Sequence, residues 1–165
     1  MYGHIRLIGK DRETNMDKQV LFKQLYDARK LSSNDEIGLF EDAMEKLCDS
    51  ITIDDVYEIC KAFYDDTEDH EVMFGMIHLI EQLIGVDYLK CIAISTPKMT
   101  EANEWALALN ERILNSEKYF NMYVDVIKSL ESGYQEKILE FLIDVKNDCP
   151  ERFGEKVDFI FNSIK

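Results

Sequence analysis

Two prolines in 165 residues, Pro97 and Pro150, leave everything before Pro97 without a ring that blocks a helix, and only seven glycines accompany them. With so few obligatory breaks, apolar spacing decides the secondary structure. Leu21, Leu25 and Ala28 form one helical stripe, and Ile37, Phe40, Met44 and Leu47 form the next. Ser33 with Glu36 is a capping box that starts the second helix, and Thr52 with Asp55 is an analogous start for a third, near 53 to 64, that buries Val56, Ile59, Cys60 and Phe63. Val72 to Ile84 is a fourth, and Val86 to about Ile94 a short fifth, closed by Ser95-Thr96-Pro97. Thr100 or Thr96 caps the next, which carries Trp105. Phe120, Tyr123, Val124, Ile127 and Leu130 mark one more helix, and Ile138, Phe141, Leu142 and Val145 another. Pro150 sits at the first position of the last, whose face carries Phe153, Val157, Ile160, Phe161 and Ile164.

The centres of these segments step by roughly 16 to 18 residues, close to half the length of a helix-pair repeat, although no consensus residue recurs. The spacing predicts an all-α chain of eight to nine helices: a short stack of antiparallel pairs, either a HEAT-like α-solenoid or an irregular helical bundle. Residues 16–165 are expected to form a single all-helical domain, and residues 1–15 a loose or extended arm.

A hydrophobic content of 46% offsets the entropy of ordering a chain of this size without metal or disulfide staples. The net charge is −14, and it is unevenly placed. Residues 1–30 hold 7 basic and 4 acidic side chains, residues 31–90 hold 3 and 16, and residues 91–165 hold 9 and 13. A chain of this sign is unsuited to gripping nucleic-acid phosphates, which need Lys and Arg. Its acidic third sets up a field that speeds encounters with a basic partner. A charged, solvated surface accounts for the same composition equally well.

No constellation for catalysis appears. His70-Glu71 and His78 are misplaced for a zinc-binding H-E-x-x-H, because the two histidines are eight apart and Phe74 holds the i+4 position. Walker, nucleophile-elbow and dinucleotide-binding loops are missing, so neither an enzyme nor a cofactor is expected. Cys48, Cys60, Cys91 and Cys149 lie far apart and read as free, mostly buried thiols. Charge interrupts every apolar run before the length of a membrane span, and a cytoplasmic location is the simplest expectation.

The stretch from Asp65 to Asn115 concentrates the distinctive residues. It begins with an acidic run, Asp65, Asp66, Glu68, Asp69 and Glu71, which follows Asp54, Asp55 and Glu58 at the start of the preceding helix. These eight carboxylates are the candidate partner-binding residues, weighed evenly against a solvated capping loop. His78 shares a helix face with Glu71, Gly75, Glu81 and Gln82, opposite Met73, Met76, Ile77, Ile80 and Leu83. A structural role, bonding a carboxylate or a helix end, is favoured for it. Gly75 beside it permits close helix approach. Trp105, Ala108, Arg112 and Asn115 line one face, with Trp105 read as a core anchor and Arg112 as a partner for a carboxylate or helix end.

At these residues the sequence resembles the immunity protein 30 family of bacterial polymorphic-toxin systems. DTEDHEVMFGMIHLIEQL followed by EANEWALALNERILN matches an acidic turn, a helix with Val72, Met73, Phe74, Ile77, His78, Ile80 and Glu81, and a later helix with Ala102, Trp105, Ala106, Arg112, Ile113, Leu114 and Asn115. The similarity covers roughly residues 35 to 145. It implies an all-helical cytoplasmic protein that neutralises the toxic C-terminal domain of a cognate toxin, often a nuclease. Because nucleases hold phosphate, such a toxin tends to be basic, and an acidic inhibitor suits it. The expected assembly is a monomer that binds its toxin one to one. A helical-repeat adaptor gripping a peptide through Tyr and Phe side chains is the alternative.

Overall fold

The computed structural model describes residues 17–165, so the arm expected over residues 1–15 lies outside the described residues. Among the described residues nine α-helices follow in order: α1 (17–28), α2 (Asn34–Cys48), α3 (Asp55–Cys60), α4 (His70–Glu81), α5 (Val86–Ser95), α6 (Asn103–Leu114), α7 (Glu117–Ser129), α8 (Ser132–Asp148) and α9 (Pro150–Ile164). A 3₁₀ turn, Thr96–Lys98, joins α5 to the approach of α6. No strand occurs among the described residues, as the apolar spacing predicts.

Helices pack on those two places along: α2 on α4, α3 on α5, α5 on α7, α6 on α8 and α7 on α9. This is the signature of stacked pairs, in which alternate helices form two rows. Further contacts of α5 with α8 and of α6 with α9 make the stack an irregular bundle rather than an evenly pitched solenoid. Apolar side chains from Phe22 in α1 to Ile160 in α9 join in one continuous core. At Gly75 a Cβ would lie 3.3 Å from the Met44 terminal methyl, so α2 and α4 approach closely there.

Local chemistry explains most of the boundaries. Ser33 Oγ accepts the Glu36 amide at 3.2 Å, and the Glu36 carboxylate reaches back to the Ser32 amide at 2.9 Å. That second bond falls one residue earlier than in the standard box, and it holds the Glu36 carboxyl below its usual range. Pro150 occupies the first turn of α9, as predicted. The third helix is shorter than the predicted 53–64 and ends at Cys60. Beyond it Ala62 and Phe63 turn into the core, and the next backbone groups bond across to Trp105 of α6 and to Glu101 just before it, so tertiary contacts override the helical pattern. Of the four free thiols Cys60 and Cys91 are buried, Cys149 is half-buried, and Cys48 is exposed at the end of α2.

Buried polar groups are tied together at one node. Asn110, fully buried, donates to Thr96 Oγ1 at 3.0 Å and to the Ala106 carbonyl at 2.9 Å, and accepts the Tyr123 hydroxyl at 2.6 Å. Because each partner is satisfied, the node fixes how α5, α6 and α7 meet.

Candidate functional site

The acidic segment after α3 is a pinned loop. The Trp105 indole N–H donates to the Tyr64 carbonyl at 3.0 Å, and the Asp65 amide donates to the Glu101 carbonyl at 3.0 Å. The Asp65 carboxylate accepts the Glu104 amide, 3.1 Å to each oxygen. Asp65 therefore caps α6 from a distant point in the chain, where the helix dipole favours a carboxylate. This corrects the expectation that Thr100 or Thr96 caps this helix: Ala102 occupies the cap position without a side-chain bond, and the Thr96 hydroxyl bonds Ile92 and Asn110 instead. Further on, the Glu68 amide donates to the Lys30 carbonyl at 2.8 Å, and Asp69 caps α4 by accepting the Val72 amide at 3.0 Å.

Aromatic packing stiffens both sides of the loop. Trp105 is only 7% exposed, with Phe63 and Phe74 close by and the His70 ring stacked on it at 6.0 Å. The Arg29 guanidinium lies 3.9 Å from the centre of the Tyr26 ring and 4.9 Å from that of Tyr64, holding the end of α1 against the loop.

The eight carboxylates divide by what they already bond. Asp55 pairs with Lys18 at 2.8 Å, both side chains largely buried, and also accepts the Thr52 amide. Glu58 pairs with Lys61 at 2.9 Å. Asp65 and Asp69 are committed as caps. Asp54, Asp66, Glu68 and Glu71 are exposed, and no described residue engages their side chains. Since α3 packs on α4 and the loop joins them, these four project from one anchored region. Nothing local in the sequence marks Asp65 as a cap, because its partner lies 39 residues away, whereas Asp69 caps an amide only three residues on.

Residues of the family motif gather elsewhere, between α4 and α6. Arg112 grips Glu81 with two bonds, Nε to Oε1 at 2.5 Å and Nη2 to Oε2 at 3.2 Å, and its guanidinium stands 5.4 Å from the Phe74 ring centre. His78 is exposed and meets Phe74 edge-on at 5.0 Å. No hydrogen bond joins it to a carboxylate or helix end among the described residues, so an aromatic contact replaces the expected polar one. Asn115 ends α6 and lines a cleft of about 320 Å³ with Glu81, Tyr88, Arg112 and Tyr119. No cluster of three or more His, Cys, Asp or Glu side chains suited to a metal occurs among the described residues, and no described helix is long and apolar enough to cross a membrane.

Searches of curated proteins and of solved structures found no match. A family model described as immunity protein 30 matches residues 27–123, which is more than half of the chain and includes the pinned loop, Trp105 and the Glu81–Arg112 pair. The chain belongs to the immunity protein 30 family.

Proposed function

We propose that this protein neutralises the toxic C-terminal domain of a cognate bacterial toxin by binding it one to one, and that the toxin domain is a basic nuclease. Family membership carries the immunity reading. The acidic surface adds the chemistry of the partner: Asp66 and Glu68 stand in solvent on a loop whose backbone is already ordered, with Asp54 exposed before α3 and Glu71 exposed in the first turn of α4. Ordering before binding reduces the entropy lost on docking. Clustered negative charge accelerates encounter with a positive surface and fades as salt rises. Inhibition by occlusion needs no catalytic group or cofactor. A monomer acting in the cytoplasm of the producing cell completes the reading.

Co-expression with the toxin domain encoded by the neighbouring gene tests it. Cells carrying both are expected to survive, and the two proteins to co-purify in equal amounts. Growth arrest despite expression of this chain, with no complex formed, would overturn the proposal.

A further inference from the structure

A cleft of about 370 Å³ opens between α3 and the Thr96–Lys98 turn, within the roughly 300–1,000 Å³ typical of binding pockets. Cys60, Phe63, Ser95, Met99 and Ala102 form its floor and are buried. Lys61, Lys98, Thr100 and Glu101 form its mouth and are exposed. Burial pushes the Cys60 thiol up to about 12, so the floor carries no charge near neutral pH.

The cleft adjoins the pinned loop. Glu101, at its mouth, accepts the Asp65 amide at 3.0 Å, and Glu58 pairs with Lys61 at the other side. The mouth sets two ammonium groups beside the Glu101 carboxylate, and Glu58 already pairs with one of them, Lys61. Residues 31–90 contain only three basic side chains, Lys46, Lys61 and Lys90, and one of them is here beside Lys98. The Lys98 ammonium lies 5.5 Å from the Tyr134 ring centre, so it faces a ring rather than a carboxylate.

We infer that this cleft receives one apolar side chain of the toxin domain, with a neighbouring toxin carboxylate meeting Lys98 at the mouth. The inference rests on the immunity reading above. An uncharged floor suits an apolar anchor, and the Lys98 ammonium, which pairs with no carboxylate among the described residues, suits a carboxylate set in an otherwise basic partner. The two features then divide the work of recognition. Carboxylates on the loop set the association rate, whereas the filled cleft sets the dissociation rate.

Binding kinetics of the purified full chain with the toxin domain encoded by the neighbouring gene test the inference. The variants are Thr100→Trp, which covers the mouth, Lys98→Glu, and Lys128→Glu, an exposed site on α7 that makes the same change in charge. Thr100→Trp is expected to speed dissociation about tenfold or more, and Lys98→Glu about fivefold or more, while Lys128→Glu dissociates at the wild-type rate. If charge alone mattered, Lys98→Glu would behave like Lys128→Glu, because both make the chain more acidic. Wild-type dissociation for both Lys98→Glu and Thr100→Trp, with wild-type binding intact, overturns the cleft and leaves the immunity reading standing. Absence of wild-type binding overturns both. Should Thr100→Trp fail to fold, as thermal melting would reveal, Lys98→Glu alone decides.

Discussion

The two ends of α6 are built on opposite principles. At its N-terminal end the polar groups are committed to partners: Asp65 bonds the Glu104 amide, the Trp105 indole bonds Tyr64, and the Glu101 carbonyl takes the Asp65 amide. At its C-terminal end the Lys156 ammonium of α9 bonds the Leu114 carbonyl, but the side chains are more open. Arg112 and Glu81 form an ion pair whose side chains are 41% and 24% exposed. Glu111 lies against Asp148 with one oxygen buried and no donor to it among the described residues. The first end is a rigid mount for the acidic loop. The second tolerates change, since partly exposed charges interact weakly.

Mutations at the two ends should separate widely. Trp105→Ala removes a buried ring and the bond to Tyr64, and should cost about 3–5 kcal/mol in urea unfolding. A loss under about 1 kcal/mol would show that the N-terminal end is not the firmer of the two. Asp65→Ala removes the cap of α6, with an expected cost of about 0.5–2 kcal/mol. Its sharper signature is faster amide exchange in residues 63–69, because the loop loses its tie to α6.

Smaller effects are expected at the other end. Burial, and then the neighbouring Asp148 carboxyl group, raise the Glu111 carboxyl to about 7. Its folded-state value lies above its unfolded one, so the fold binds the proton more tightly and loses stability as pH rises through about 4.5 to 7. Glu111→Gln should flatten that decline and stabilise the protein at pH 8 by on the order of 1 kcal/mol, solvent screening the rest. An unchanged pH profile of melting would show that the Glu111 carboxyl is not raised by the fold. Arg112→Ala should cost less than about 1 kcal/mol, the gap narrowing in high salt. A larger, salt-independent loss would place the pair among the structural anchors.

Much of this architecture was legible in residue spacing. Helical periodicity, the Ser33–Glu36 box and Pro150 located most helices because each signal acts within one turn of the chain. Trp105 as an anchor and Arg112 as a carboxylate's partner also follow from which face each occupies. What the sequence hid acts at long range. Asp65 looks like any loop carboxylate until the start of α6 is brought beside it, and Asp55 looks exposed until Lys18 reaches it from α1. The early end of α3 has the same origin, with cross-chain bonds outweighing local helix preference. For the candidate face, composition located the acidic third of the chain, whereas only the fold separates the carboxylates that hold it together from those turned outward.

The most direct test of the acidic docking face is the association rate with the toxin domain as a function of salt. Asp66, Glu68 and Glu71 are all replaced by Lys, while the caps Asp65 and Asp69 are left in place. The account predicts that at low salt the variant associates about tenfold or more slowly than wild type, with a flatter salt dependence and dissociation changed by less than about threefold. Equal association rates at low salt, in a variant that melts like wild type, would contradict it.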